Sequence, residues 1–139
     1  MRRGFTLMEL LLTVMIAGTI AGFAVPSFTK AVDKGKARDV VNNLYAIGAA
    51  QVVYKARYGS YYLPIAMISV NQINAVLGTS VVEQTGVHYW CARALSIAPP
   101  GACTGVLTGK WGYVVAPSGW EPACSSGGMG GRPCPSGVP

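Results

Sequence analysis

Twenty consecutive residues, 10–29, carry no formal charge: LLLTVMIAGTIAGFAVPSFT. A helix rises about 1.5 Å per residue, so this run spans about 30 Å, the thickness of a bilayer's hydrocarbon core. Arg2 and Arg3 stand before it, and Lys30, Lys34, Lys36 and Arg38 follow it. Positive charge beside a first apolar segment biases that end toward the cytoplasm; with both flanks basic, charge alone does not set the orientation. The composition agrees with a concentrated apolar excess. Of 139 residues 51% are apolar, and eleven Lys and Arg stand against five Asp and Glu. Such a chain is too apolar and too sparsely charged to be disordered. Its net charge of +6 arises from scarce acids rather than abundant bases, unlike a nucleic-acid-binding tail. Eighteen Gly and nine Pro show no triplet period, which excludes collagen.

Four cysteines, Cys91, Cys103, Cys124 and Cys134, all lie in the last third of the chain. An even number in a small, loop-rich segment reads as two disulfides formed outside the cytoplasm. That places the C-terminal part outside and Arg2 and Arg3 inside. Zinc fits less well, because 11, 20 and 9 residues lie between successive cysteines, with no C-x2-C pair. Three pairings are open. The sequential one, Cys91–Cys103 with Cys124–Cys134, is favoured because each bridge closes a short loop rich in Gly and Pro.

Glu9 interrupts an otherwise plain membrane segment. An ionised carboxylate in a membrane helix costs roughly 2.5 kcal/mol or more near the bilayer centre, and less at the interface. Either Glu9 reaches back to the cytoplasmic interface or it awaits a positive partner. The surrounding string, Gly4-Phe5-Thr6-Leu7-Met8-Glu9-Leu10 after the leader MRR, resembles the processing signal of type IV prepilins and of the pseudopilins of type II secretion. The close resemblance covers roughly residues 1–62.

The resemblance implies that a prepilin peptidase cuts between Gly4 and Phe5 and that Phe5 becomes an N-methylated terminus. Residues 1–4 are then the leader, which is short for the family and leaves room for a start codon further upstream. Residues 5–29 form the transmembrane and polymerisation helix, and 30–58 its amphipathic continuation. Glu9 matches the family's glutamate five residues into the mature chain, expected to form the assembly salt bridge with the Phe5 amine of a neighbouring subunit. Pro26 matches a proline common near the end of the membrane segment. Gly18, Gly22 and Pro26 weaken the helix, since proline removes one backbone hydrogen bond and glycine costs roughly 1 kcal/mol relative to alanine. The resemblance implies local melting between 18 and 26 once subunits pack in a fibre.

An ordinary secretory signal peptide is the rival for this segment, with Gly22-Phe23-Ala24 as its cleavage site. Against it, Glu9 sits where the apolar core of such a signal begins, and the apolar run continues past Ala24.

Beyond the uncharged run Val40, Leu44, Ile47, Tyr54 and Tyr58 recur at helical spacing, with Gln51 filling the stripe and Ala37 and Val41 widening it. Asp39, Asn42, Asn43, Lys55 and Arg57 lie largely off that face. The pattern predicts one helix over about 6–58, apolar all round in its first half and amphipathic in its second. Gly59 suits a left-handed C-terminal cap and Pro64 forbids continuation. A connecting loop follows over 65–86, with a short helical turn over 71–77. Strand patterns occupy 87–93 and 111–116, with 95–97 or 105–107 as another and 119–124 as a weak fourth. The globular part, 59–139, is therefore an αβ-loop, a small antiparallel sheet and a disulfide-bonded C-terminal region. This is the α+β pilin fold that the resemblance implies. A head this small has a limited core, so two disulfides are physically sensible.

No enzymatic constellation stands out. His88 is the only histidine, and no Asp follows Asp39, which argues against Ser-His-Asp catalysis. Glu83 and Glu121 are the only acids of the head and follow no glycosidase pattern. The run 127–131 lacks the Lys-Ser/Thr of a phosphate loop. Trp90, Trp111 and Trp120 read as core or subunit-contact residues. No cofactor and no metal are expected: calcium needs six to eight oxygens, usually with several carboxylates. The scarcity of acids and the C-terminal cysteines favour a pilin over the calcium-binding major pseudopilin. The expected protein is a structural subunit of a type IV pilus-like filament, bitopic in the bacterial inner membrane with its head outside before it polymerises. Its expected partners are copies of itself, prepilin peptidase, the pilus or secretion assembly machinery and, through Lys30, Lys34, Lys36 and Arg38, lipid headgroups. Nucleic acid is not expected. The alternatives are a type II secretion pseudopilin and a secreted disulfide-rich binding module.

Overall fold

The computed structural model describes residues 5–65, 68–92, 101–125 and 133–138. Helix α1 (Leu7–Tyr58) is continuous through Pro26. Its first turn is closed by Thr6, whose carbonyl accepts from the Leu10 amide at 3.3 Å and whose hydroxyl accepts from the Glu9 amide at 3.3 Å. Its last turn ends at Gly59, whose φ of 77° and amide bond to the Lys55 carbonyl make the left-handed cap read from sequence.

The chain divides into two compact units, Met1–Gly35 and Lys36–Pro139. Among the described residues of the first, the large apolar side chains from Phe5 to Phe28 are between 51% and 86% exposed. This helix is long and apolar enough to cross a membrane. Its hydroxyls are satisfied within the helix. Thr13 donates to Leu10 O, Thr19 to Ile16 O, Ser27 to Phe23 O and Thr29 to Pro26 O, at 2.8–3.4 Å. In hydrocarbon an unpaired hydroxyl is costly, so this back-bonding makes the segment compatible with lipid.

The second unit is an α+β head. Residues 36–58 of α1 bury Ala37, Val40, Val41, Leu44, Ile47, Gly48 and Gln51. Helix α2 (Val70–Leu77) follows, beginning one residue before the expected 71–77. Ser69 and Gln72 close a capping box at its start, and Gly78 caps its end. Strands β1 (Val87–Ala92), β2 (Ala102–Leu107), β3 (Trp111–Val115) and β4 (Ala123–Cys124) form an antiparallel meander in the order β1-β2-β3-β4.

Side chains alternate across a sheet, so register decides which residues share a face. Tyr89 lies opposite Gly105, and Gly105 opposite Tyr113. This row faces α1: a Cβ added at Gly105 would come within 2.6 Å of Val40 Cγ1 and 2.9 Å of Tyr89 Cε1. The missing side chain of Gly105 is what lets helix and sheet approach. Val87, Cys91, Cys103, Leu107, Trp111 and Val115 complete the core on that face.

Two expectations change. Strand β2 begins at Ala102 rather than 105, and all six of its residues are buried. The run Ala-Cys-Thr-Gly does not alternate in polarity; its pairing with strands on both sides makes it a strand. Tyr58, read as part of the buried stripe, is 67% exposed, with its ring 4.5 Å from that of Tyr54. The chain turns at Gly59, and Tyr61 and Tyr62 pack against the core instead. The alternative strand at 95–97 and the Gly-rich run 127–131 lie outside the described residues, as does Arg93 at the end of the first strand pattern.

Candidate assembly segment

The residues expected to carry assembly begin at the chain's first turn. Gly4 lies outside the described residues. Phe5 is 77% exposed, and Glu9 is exposed one turn into α1. Thr6 was not singled out from sequence, although a hydroxyl residue three positions before a glutamate, Thr6-x-x-Glu9, is the spacing of an N-terminal capping box. Half of such a box is present, the bond from the Glu9 amide to the Thr6 hydroxyl. The cap fixes where the helix begins, and hence at which turn Glu9 projects. The positive end of the helix dipole lies close by and favours a carboxylate there.

Among the described residues, Gly18 and Gly22 meet nothing within 4 Å where a Cβ would stand. They leave open notches on the helix surface of the kind that lets membrane helices approach closely. Pro26 has no amide to donate to the Gly22 carbonyl, so the ladder lacks one bond there. Of the four basic residues after the apolar run, Lys36 is committed to the head, its Nζ donating to the Thr85 carbonyl at 3.0 Å.

In the head, disulfides join Cys91 to Cys103 and Cys124 to Cys134, the sequential connectivity. Cys91 and Cys103 are direct cross-strand partners and fully buried, whereas Cys124 is exposed and Cys134 half-buried. Each bridge closes a loop of 10–12 residues, worth about 3 kcal/mol in a chain-entropy account. Gln51, at 0% exposure, donates from Nε2 to the Tyr62 carbonyl at 2.7 Å and accepts the Tyr62 amide at 2.8 Å.

Trp111 and Trp120 are buried, and Trp90 is half-buried. Trp120 adopts a φ of 57°, unusual for a bulky side chain, with its Cβ 3.0 Å from the position a Cβ on Gly48 would take. His88 is exposed, its Nδ1 3.7 Å from a Glu83 carboxylate oxygen. Glu121 is exposed at the other side of the chain's last described turn before β4. Among the described residues no three His, Cys, Asp or Glu side chains are grouped for a metal ion. Burial raises the hydroxyl pKa of Tyr89, against a hydrogen bond from Asn43 that lowers it. Burial alone raises that of Tyr113.

The chain is 39% identical over 62 residues to the type IV major pilin protein PilA of Myxococcus xanthus, covering 42% of this chain and 28% of that protein. It is 33% identical over 60 residues to the type II secretion system core protein G of Klebsiella michiganensis, covering 43% of this chain and 42% of that one. The chain thus spans less than half the length of each of these relatives. No family model matches it, and no solved structure does.

Proposed function

We propose that this member of the type IV pilin and type II secretion pseudopilin superfamily is a structural subunit of a type IV pilus-like filament. Prepilin peptidase cuts between Gly4 and Phe5, and the new Phe5 amine is methylated. Residues 5–29 hold the subunit in the inner membrane with its disulfide-bonded head outside. The subunit then polymerises with copies of itself and performs no catalysis. Lys30, Lys34 and Arg38 meet lipid headgroups before assembly.

The observation that carries this reading is Glu9: an exposed carboxylate a turn into a helix whose large apolar side chains up to Phe28 are themselves exposed. In low dielectric an unpaired carboxylate is costly, and a charge-assisted pair recovers much of that cost. Cleavage supplies the cation, the amine of Phe5. A Glu9 carboxylate on an incoming subunit paired with the Phe5 amine of a neighbour turns the cost of a lone charge into a bias toward one axial stagger. Melting between Gly18 and Pro26 would let the apolar segments adjust as they pack.

Glu9→Ala tests the reading. The variant is expected to insert and to be cleaved at Phe5, but to yield no sheared filaments by electron microscopy. Normal filaments from it overturn the proposal. N-terminal sequencing of the mature chain separates this reading from an ordinary signal peptide: methylated Phe5 supports the first, a start at Val25 the second.

A pseudopilin is the second reading, supported by the similarity to a type II secretion core protein. A deletion strain distinguishes the two. Loss of surface filaments with intact protein secretion supports the pilus, and the reverse supports the pseudopilus.

A further inference from the structure

The segment between α2 and β1 is tied down by side-chain hydrogen bonds at both ends. The Asn74 side chain accepts from the Thr79 hydroxyl at 2.7 Å and from the Val81 amide at 3.0 Å, and donates to the Val81 carbonyl at 2.7 Å. Val81 is buried below the segment. Further on, Gln84 Nε2 donates to Asp39 Oδ2 at 2.9 Å, and Lys36 clasps the Thr85 carbonyl. Across from it on α1, Asn43 Nδ2 donates to the buried Tyr89 hydroxyl at 2.9 Å. Between these clasps lies a cleft of about 360 Å³ lined by Asp39, Asn42, Asn43, Ser80, Val82 and Gln84.

The lining chemistry narrows the ligand. Among the described residues it contains no Lys, Arg or His, so an anion finds no counter-charge there. It holds one carboxylate, already accepting from Gln84, which is too few for calcium. What remains is a close set of amide, hydroxyl and carboxylate groups that both donate and accept, beside the exposed Val82 side chain. A neutral polyol presents the matching surface: vicinal hydroxyls that donate and accept at short spacing, on an apolar ring face. We infer that this cleft is a binding site for a neutral carbohydrate. A preformed site avoids the ordering cost of a flexible loop. Among the described residues the lining includes no aromatic face for a sugar to stack on, so a single site is expected to bind weakly, with Kd on the order of 1 mM. Binding by one head does not rest on filament formation; only the avidity of many heads in a row does.

Saturation-transfer NMR on the full chain tests this, in a zwitterionic detergent without a sugar headgroup, with lactose, cellobiose and N,N′-diacetylchitobiose as probes. Transfer to at least one of them is expected. Asn42→Ala, an exposed helix position that alanine suits, and Asp39→Asn should each weaken it at least about tenfold, as loss of a hydrogen bond to a polar ligand does. Val52→Ala, at an exposed position of α1 outside the cleft, should leave it unchanged. Absence of transfer to all three sugars overturns the inference. So does equal transfer in Asn42→Ala and Asp39→Asn, or transfer abolished by calcium chloride alone. None of these outcomes bears on filament assembly, which the Glu9 variant reads separately.

Discussion

Gln51 on helix α1 and Tyr62 beyond the helix's end exchange two hydrogen bonds, the side-chain amide pairing with both backbone groups of Tyr62 as a neighbouring strand would. The glutamine is fully buried in the helix stripe that faces the head. It therefore satisfies a stretch of backbone that belongs to no helix or sheet and turns the chain back along α1. Gln51→Ala removes the partner of both groups and leaves the half-buried amide and carbonyl of Tyr62 unpaired. The expected loss is about 2–4 kcal/mol. Chemical denaturation of the detergent-solubilised full chain, followed by tryptophan fluorescence, measures it; a loss below about 0.5 kcal/mol would show that water replaces the amide without penalty.

Gly105 should tolerate no side chain while Val40 stands over it. Gly105→Ala puts a methyl within 2.6 Å of Val40 Cγ1 and is expected to destabilise by about 1–3 kcal/mol. Val40→Ala removes the clashing atom. In the double variant the second substitution should therefore cost clearly less than it does alone, a coupling read from a double-mutant cycle. Additive losses would mean that Tyr89, not Val40, takes the strain.

The two disulfides should differ in accessibility. Cys91–Cys103 is fully buried, while Cys124 is exposed. Brief reduction of the folded chain followed by alkylation and peptide mass spectrometry should label Cys124 and Cys134 first. Labelling of Cys91 and Cys103 should require denaturant. Equal labelling without denaturant contradicts the burial order.

Alkaline pH should destabilise the head through its buried tyrosines. Burial raises the pKa of Tyr89 and of Tyr113 above the ordinary 10.0. The folded state then holds its protons more tightly than the unfolded state. The associated stability is fully present below pH 10 and is lost as pH rises through the folded values. Tyr113→Phe should make this alkaline limb shallower. It also removes a buried hydroxyl with no hydrogen-bond partner among the described residues, so stability at pH 7 should be unchanged or higher. Thermal melts between pH 7 and 11 check both, and an unaltered alkaline limb in the variant refutes the assignment.

The order of the chain's local structure was legible from sequence wherever neighbours in sequence do the work. An uncharged run of twenty residues, a stripe from Ala37 through Ile47 at helical spacing and a glycine at the end of the helix are all short-range signals. The strand patterns at Val87 and Trp111 depend on side chains only two residues apart. Helix α2 was legible to within one residue, since 71–77 carries a local helical pattern that the capping pair Ser69 and Gln72 extends to Val70.

What the sequence by itself determined is a long helix with a lipid-compatible first half, one acid near its start, and cysteines confined to the head. These follow from the energetics of moving charge and backbone out of water, which act residue by residue. Tertiary structure decided the rest. It made Ala102–Leu107 a strand, put Gly105 under Val40, left Tyr58 exposed while Gln51 took up the backbone of Tyr62, and closed a polar cleft against α1 through Asn74 and Gln84. Each of these outcomes depends on a partner that is distant in sequence or on the turn that brings it near. A single glycine, glutamine or asparagine in the string does not announce which partner it will meet, because that is set by how helix and sheet pack.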